Sequence, residues 1–310
     1  MKTVKILAIA GAGRSGSTLL DKILGQEENI VSVGELDHVW DAGFKQNLLC
    51  SCYTPFKSCR FWNNVFDEAF GGMHNVNADE IIELKESVDR AIFAPFIAIP
   101  WLRTPRYSRE LNIYVDILSK LYKAVYKVSN CRVILDSSKS PSYLHALRLA
   151  TDTELNIIHL VRDSRAVAYS WQRKKLIAQS QEKEDYMPTQ NTAQSSLQWS
   201  VRNVLTYSLK SFSYSYKLVR YEDFVKEPQS VLTNIMTNLN IDNCQFSSLT
   251  DQSPNRTDVH AILGNPIRFE KGPIRIRADM EWKEKLETKE KFVSTALTLP
   301  LLFAYGYLKE

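Results

Sequence analysis

The chain has 310 residues, 44% of them hydrophobic, with 39 Lys and Arg against 35 Asp and Glu, a formal net charge of +4. That length suits one large α/β domain, or two small ones, with a real core. The charge is too mild for a nucleic-acid surface and fits a local anion site instead.

In chain order, Lys2 and Lys5 before Ile6-Leu7-Ala8-Ile9-Ala10 imitate the start of a signal peptide. The apolar stretch is brief and runs straight into a glycine-rich turn, so 4–10 is expected as a first core strand and the protein as cytoplasmic. A helix over 17–25 and a short strand at 31–33 follow. Helices over 61–70, 78–94 and 108–128 form a long insertion before the next strand, 132–135. Then come a helix over 141–150, a strand over 155–161 and a helix over 164–174. The stretch 174–190 is polar and mixed in charge and reads as a loop. A helix over 192–210, a strand over 214–219 and a helix over 228–239 come next. Residues 246–277, rich in Ser, Pro, Asn and Gly, are expected to be irregular, with short helices after Asp279 closing the chain.

The alternation of strands and helices predicts one α/β domain over 1–310, a central parallel sheet flanked by helices. No apolar run has the length of a membrane span. The nearest, 92–101 and 293–308, are interrupted by Pro95 and Pro100 and by Ser294, Thr295, Thr298, Pro300 and Gly306, and both are expected as buried core segments.

Three of the five cysteines, Cys50, Cys52 and Cys59, crowd into CSCYTPFKSC, and Cys131 and Cys244 stand alone. The odd total argues against a disulfide framework. The spacing C-x-C-x6-C is no standard zinc pattern and no obvious fourth ligand follows it, so a structural or redox-sensitive cluster is expected and no metal.

The strand at 4–10 leads into Gly11-Ala12-Gly13-Arg14-Ser15-Gly16-Ser17-Thr18. Glycines at a strand-to-helix turn let the backbone approach a phosphate, and the amides of the helix start point at the anion. Arg14, Ser15, Ser17 and Thr18 add a charge and three hydroxyls. Gly11, Gly16 and Thr18 fit the ATPase pattern G-x4-G-K-[ST], but Ser17 stands where its lysine belongs. The loop is therefore equipped for a 5′-phosphate and poorly equipped for a triphosphate with magnesium.

The segment Leu160-Val161-Arg162-Asp163-Ser164-Arg165-Ala166-Val167-Ala168-Tyr169-Ser170-Trp171 is a second strand end followed by a helix. It places Arg162 where open α/β sheets bind ligands. The alternative for Arg162 is a structural ion pair with Asp163.

Together, GAGRSGSTLL and LVRDSRAVAYSW resemble the 5′-phosphosulfate loop and the 3′-phosphate motif of sulfotransferases that use 3′-phosphoadenosine 5′-phosphosulfate (PAPS). The resemblance implies a P-loop-type three-layer fold and release of 3′,5′-ADP, with no metal. It implies that Arg14, Ser15, Gly16, Ser17, Thr18 and Leu19 hold the 5′-phosphosulfate. Arg162 and Ser170 would hold the 3′-phosphate, with Arg173 or Lys174 helping. Arg220-Tyr221-Glu222-Asp223 is similar to the family's RYED strand end, and Arg268 to Gly272, including Lys271, to its C-terminal cofactor loop.

Sulfuryl transfer needs a base on the acceptor and cations on the leaving side. Glu35, in Val33-Gly34-Glu35-Leu36, resembles the Gly-Glu element of tyrosylprotein and some carbohydrate sulfotransferases, where the glutamate is the base. His38 is the second candidate. Burial would have to raise the pKa of Glu35 for that task. Lys139, following a strand in Leu135-Asp136-Ser137-Ser138-Lys139, and Arg14 are the expected cations. A small molecule with a hydroxyl or amine is the expected acceptor. Trp40, Trp62, Trp101 and Tyr107 are candidates to line its pocket. Competing readings are a P-loop kinase of a small molecule and a noncatalytic nucleotide-binding module.

Overall fold

The computed structural model describes residues 3–174, 186, 188–239, 241, 246, 249, 259–264, 266–269, 274 and 276–309. Lys271, Gly272, Cys244, all of 175–185 and about half of 246–277 lie outside the described residues.

Five strands, β1 (Val4–Ala10), β2 (Ile30–Gly34), β3 (Val133–Lys139), β4 (Thr153–Val161) and β5 (Ser215–Arg220), form a sheet in the order β2-β3-β1-β4-β5. All pairings are parallel. β1 is central, which explains its unbroken apolar run: a parallel strand covered on both faces has no polar side to present. Its side chains divide by parity. Ile6, Ala8 and Ala10 join one buried cluster, and Leu7 and Ile9 join the other.

Helices α1 (Ser17–Leu24), α9 (Tyr221–Lys226) and α10 (Pro228–Asn238) cover the Leu7 face through Leu20, Ile23, Phe224, Leu232 and Ile235. The Ile6 face is covered by α6 (Pro141–Leu147) and by an insertion comprising α2 (Arg60–Phe70), α3 (Ala78–Val88), α4 (Ala94–Ala98) and α5 (Pro105–Ser129). In α5, Leu111, Tyr114, Val115, Leu118, Leu121, Tyr122 and Val125 recur at helical spacing on the buried side. Its start is fixed by Pro105 and by Thr104, whose side chain accepts from the Tyr107 amide. Beyond β4, α7 (Ser164–Gln172), α8 (Thr192–Ser208), α11 (Trp282–Lys285) and α12 (Thr288–Ala304) complete the layers.

The structure corrects several expectations. The helix expected over 78–94 stops at Val88, and the chain re-forms as a 3₁₀ turn and α4. The segment 92–101 is core only in part: Ala94 and Ile97 are buried, but Ile92 is 70% and Trp101 78% exposed. The closing helix is long rather than short, and Phe292 and Phe303 on it face outward. Its buried line is Ser294, Thr298 and Leu302. Ser294 accepts from Ser196 at 3.0 Å and Thr298 meets Ser164 at 2.7 Å, so small hydroxyls share with Leu302 the face toward α7 and α8. Among the described residues no helix is long and apolar enough to cross a membrane. β3 extends through Lys139, beyond its expected end at Leu135.

Because all strands run one way, their carboxyl ends share one edge. There β1 gives way to the glycine loop, β2 to Glu35, β4 to Arg162 and β5 to Tyr221, while β3 ends on Lys139 itself. That edge is where open α/β sheets bind ligands.

Candidate active site at the carboxyl edge of the sheet

The loop after β1 is shaped by two glycines. Gly11 has φ +132°, and a Cβ there would stand 2.4 Å from the Leu160 carbonyl oxygen. Gly16 has φ +91°, and a Cβ would stand 2.5 Å from the Tyr221 ring. Both conformations and both approaches exclude a side chain. Gly16 caps α1 without a side-chain hydrogen bond, leaving the helix start to a ligand. The buried Ser15 hydroxyl has no partner among the described residues. A buried orphan at this place calls for an anion to complete it. Ser17 is buried and Thr18 lies beside Gly264. The Leu19 amide already donates to the Gly16 carbonyl at 3.1 Å. Arg14, itself at φ +65°, lays its guanidinium 4.8 Å from the centre of the Trp171 ring. Burial lowers its pKa and the charge of Glu35 opposes that shift.

Arg162 is buried at the end of β4. It donates to the Arg14 carbonyl at 3.3 Å, to the Asp279 carbonyl at 3.1 Å, and pairs with the Asp279 carboxylate at 3.2 Å. The pairing with Asp163 is ruled out by geometry: Asp163 caps α7 and binds Arg165 at 2.6 Å. Tyr221 joins the two motifs. Its ring packs against Gly16 on one side and lies 4.7 Å from the Arg162 guanidinium on the other. Ser170 is buried on α7, whereas Lys174 is exposed beyond its end and Arg173 is drawn 3.6 Å from Glu281.

On the other side of β1, Lys139 has φ +62° and brings its Nζ to 2.5 Å from Glu35 Oε1 and 2.9 Å from the Ser137 carbonyl. The two side chains are only 11% and 17% exposed. Glu35 is thus largely buried, and in an ion pair. Nearby Asp21, bonded to Ser32 at 2.9 Å, is raised to about 7 by burial, and Asp136, held by Ser138 and Tyr122, to about 6, again by burial. His38 lies 3.7 Å from Asp37 and 3.2 Å from Asp41. Asp37 first, then Asp41, raise its pKa to about 9 against the cost of burial. That environment favours the protonated ring over one free to accept a proton.

Sequence reasoning missed Arg202. It is the one charged residue of α8; burial lowers its pKa and the charges of Asp37 and Glu35 oppose that shift. An isolated arginine in an otherwise uncharged helix was the available signal. It also missed Asp279 as the partner of Arg162. Arg268 comes near α1, but its guanidinium is turned onto the carbonyls of Leu49 at 2.7 Å, Ala261 at 3.0 Å and Leu263, tying two loops together. Trp40 and Trp62 are fully buried core, Trp101 is out in solvent, and the Tyr107 hydroxyl donates to the Val88 carbonyl, so none of them stands out as a pocket wall. The expected lack of a fourth ligand for the cysteine cluster is also corrected: His260 joins Cys50, Cys52 and Cys59, all four ligand atoms lying within 4.8 Å of one another.

Two anion cradles meeting at Tyr221, with an acid–ammonium pair on the same edge, suit transfer of an anionic group. Residues 7–245 match the model of the sulfotransferase family. The chain belongs to that family. The matched span of this sulfotransferase includes the glycine loop, Glu35, Lys139, Arg162 and Tyr221, and leaves His260, Arg268 and Asp279 beyond it. Its fold is similar to that of the sulfotransferase domain from the olefin synthase of Synechococcus PCC 7002, with a TM-score of 0.54 and 21% identity over 97% of this chain and 96% of that one. The sulfotransferase domain from the curacin biosynthetic pathway matches at a TM-score of 0.49 and 17% identity, covering 96% of this chain and 99% of its own. Sulfotransferase STF9 from Mycobacterium avium matches at 0.48 and 13%, covering 98% and 77%. No curated protein sequence matches this sulfotransferase significantly.

Proposed function

We propose that the enzyme takes a sulfuryl group from PAPS and passes it to a hydroxyl or amine of a small molecule, releasing 3′,5′-ADP. The position of Tyr221 carries this reading. One ring touches Gly16 of the first cradle and the guanidinium of Arg162 of the second, so the cradles are spaced by a single aromatic side chain. A ligand with two anionic ends on one nucleoside suits that spacing. The orphaned Ser15 hydroxyl and the uncapped start of α1 fit the 5′ end. Arg162 and Ser170 fit the 3′-phosphate, which would replace Asp279 as the counter-ion of the arginine.

In the proposed reaction Glu35 accepts the acceptor's proton as the bond from acceptor to sulfur forms. The bond from sulfur to the donor's phosphate oxygen breaks in line, and Lys139 and Arg14 stabilise the charge left on that oxygen. Lys139 also aims Glu35 by direct contact. Arg202, whose charge Asp37 and Glu35 favour, would help to orient the acceptor. Ser17 in the position of the kinase lysine disfavours ATP as the donor. Cys50, Cys52, Cys59 and Cys131, none of them in a disulfide, suit a reducing compartment such as the cytoplasm.

Calorimetry with 3′,5′-ADP and with ATP, followed by PAPS turnover against a panel of hydroxyl and amine metabolites, tests the reading. Binding of 3′,5′-ADP in clear preference to ATP is expected. Tighter binding of ATP, with magnesium-dependent hydrolysis, would establish the kinase reading instead.

A further inference from the structure

The sequence CSCYTPFKSC folds into a tight turn followed by a helix start. The Cys50 amide donates to the Thr54 carbonyl at 2.9 Å, the Tyr53 amide returns to the Cys50 carbonyl at 2.9 Å, and Tyr53 has φ +64°. Leu49 and Pro55 are bridged antiparallel. The turn brings Cys50 and Cys52 to one side, and Cys59 sits at the N-cap of α2. From far along the chain His260 enters with Nδ1 toward the sulfurs. Its ring is stacked on Phe61 at 4.5 Å and 2°, and its carbonyl accepts from the Trp62 indole at 3.0 Å, so its orientation is fixed by packing and by backbone.

The spacings have the size of a metal site. Cys52 and Cys59 sulfurs are 3.6 Å apart and Cys50 and Cys59 sulfurs 3.9 Å. His260 Nδ1 is 3.4 Å from Cys59 and 3.7 Å from Cys50. A tetrahedron with Zn–S bonds of about 2.3 Å and Zn–N bonds of about 2.0 Å has edges of about 3.8 Å between sulfurs and about 3.5 Å from sulfur to nitrogen. A disulfide would need sulfurs about 2.05 Å apart. Four of the six ligand separations thus lie near the tetrahedral edges and all six within 4.8 Å, which matches the closed Cys₃His set of structural zinc.

We propose that Cys50, Cys52, Cys59 and His260 bind one zinc ion that holds the segment around His260 against the active-site edge. That segment reaches the base directly. The Ile262 amide donates to the Val33 carbonyl at 2.9 Å, the Ile262 carbonyl accepts from the Glu35 amide at 2.8 Å, and Gly34 pairs with Ile262 as in a parallel strand. A Cβ on Gly34 would stand 2.3 Å from the Ile262 oxygen, so the contact leaves no slack. The Ser51 amide and side chain both reach the Ala261 carbonyl at 3.2 Å, closing the same junction from the cysteine turn. The ion therefore sets the position of Glu35 through two residues of backbone, without touching substrate.

The test is metal content of the full chain, expressed with zinc in the medium and purified without chelator. Mass spectrometry of the metal is expected to find one zinc per chain. Cys59→Ser and His260→Ala are each expected to lose it, while Cys131→Ser, outside the cluster, retains it. Cobalt supplied in place of zinc is expected to give thiolate-to-cobalt charge-transfer bands and the intense visible bands of a tetrahedral site, a readout of the wild-type chain that does not depend on whether the variants fold. Wild-type protein with far less than one zinc and no cobalt spectrum, a Cys52–Cys59 disulfide in its peptide map, or zinc content unchanged in both cluster variants would each overturn the assignment.

Discussion

The two halves of the site are built in opposite ways. The half proposed to hold the donor, around the glycine loop and Arg162, consists of two strand–turn–helix units in which the candidate residues follow the strand that presents them. The half proposed to meet the acceptor is assembled from afar. Glu35 meets Lys139 across more than a hundred residues, the Asp37 amide meets the Ser138 hydroxyl at 3.1 Å, Lys85 of the insertion donates to the Asp37 carbonyl, and Arg202 arrives from α8. A cradle for phosphate needs backbone amides in a fixed local conformation, which a short motif encodes. An acid–base pair needs only two side chains at the right distance, and any two elements can supply them.

If the halves divide binding from chemistry, substitutions should separate the two. The largest effect is expected on the acceptor half. Glu35→Gln should lower turnover roughly 100- to 10,000-fold, the usual contribution of a general base, and Lys139→Ala roughly 100- to 1000-fold. Affinity for 3′,5′-ADP, measured by calorimetry, should be nearly unchanged in the glutamine variant. A matching loss of affinity would merge the halves, and unchanged turnover would remove Glu35 as the base.

The converse substitution belongs to the donor half. Arg162→Ala should weaken 3′,5′-ADP by roughly 10- to 100-fold, the value of a charge-assisted hydrogen bond or two. Affinity for 5′-AMP, which has no 3′-phosphate, should move little. Equal losses for both nucleotides would mean that Arg162 holds the loop through the Arg14 carbonyl and not the phosphate.

The same division governs what could be read from the sequence. β1 was legible to the residue because both its faces are buried, and the loop because Gly11 and Gly16 admit nothing else. Arg162 was legible at a strand end, yet its partner Asp279 lies 117 positions on, and no spacing rule reaches that far. His260 escaped for the same reason, 201 residues from Cys59. The exposed faces of 92–101 and α12 were misread because hydrophobicity was taken as burial. In α12 the packed line is made of Ser294 and Thr298, which match the hydroxyls of Ser196 and Ser164. Arg268 was read as part of a cofactor loop, but its guanidinium holds the nearby carbonyls of Ala261 and Leu263 and, 219 positions back, that of Leu49, a contact no motif shows.

The smallest effect sharpens the comparison within the acceptor half, by asking what His38 does. Its pKa is raised from an ordinary 6.5 to about 9, chiefly by Asp37 and then by Asp41, with Lys85 opposing. Between those values the folded protein holds a proton that the unfolded chain has released. The stabilisation is therefore complete below pH 6.5 and is lost as the pH rises through 9. Denaturant midpoints at pH 6, 7.5 and 9.5 should fall across this window in the wild type and fall less in His38→Gln. The effect should be modest, because the ring is partly exposed and solvent screens the pair. Turnover of His38→Gln should stay close to wild type, since a ring already protonated has no lone pair to offer an acceptor. Should the glutamine variant lose turnover as Glu35→Gln does, and do so with a wild-type pH dependence of stability, His38 would be neutral in the working enzyme and the roles of the two side chains would be exchanged.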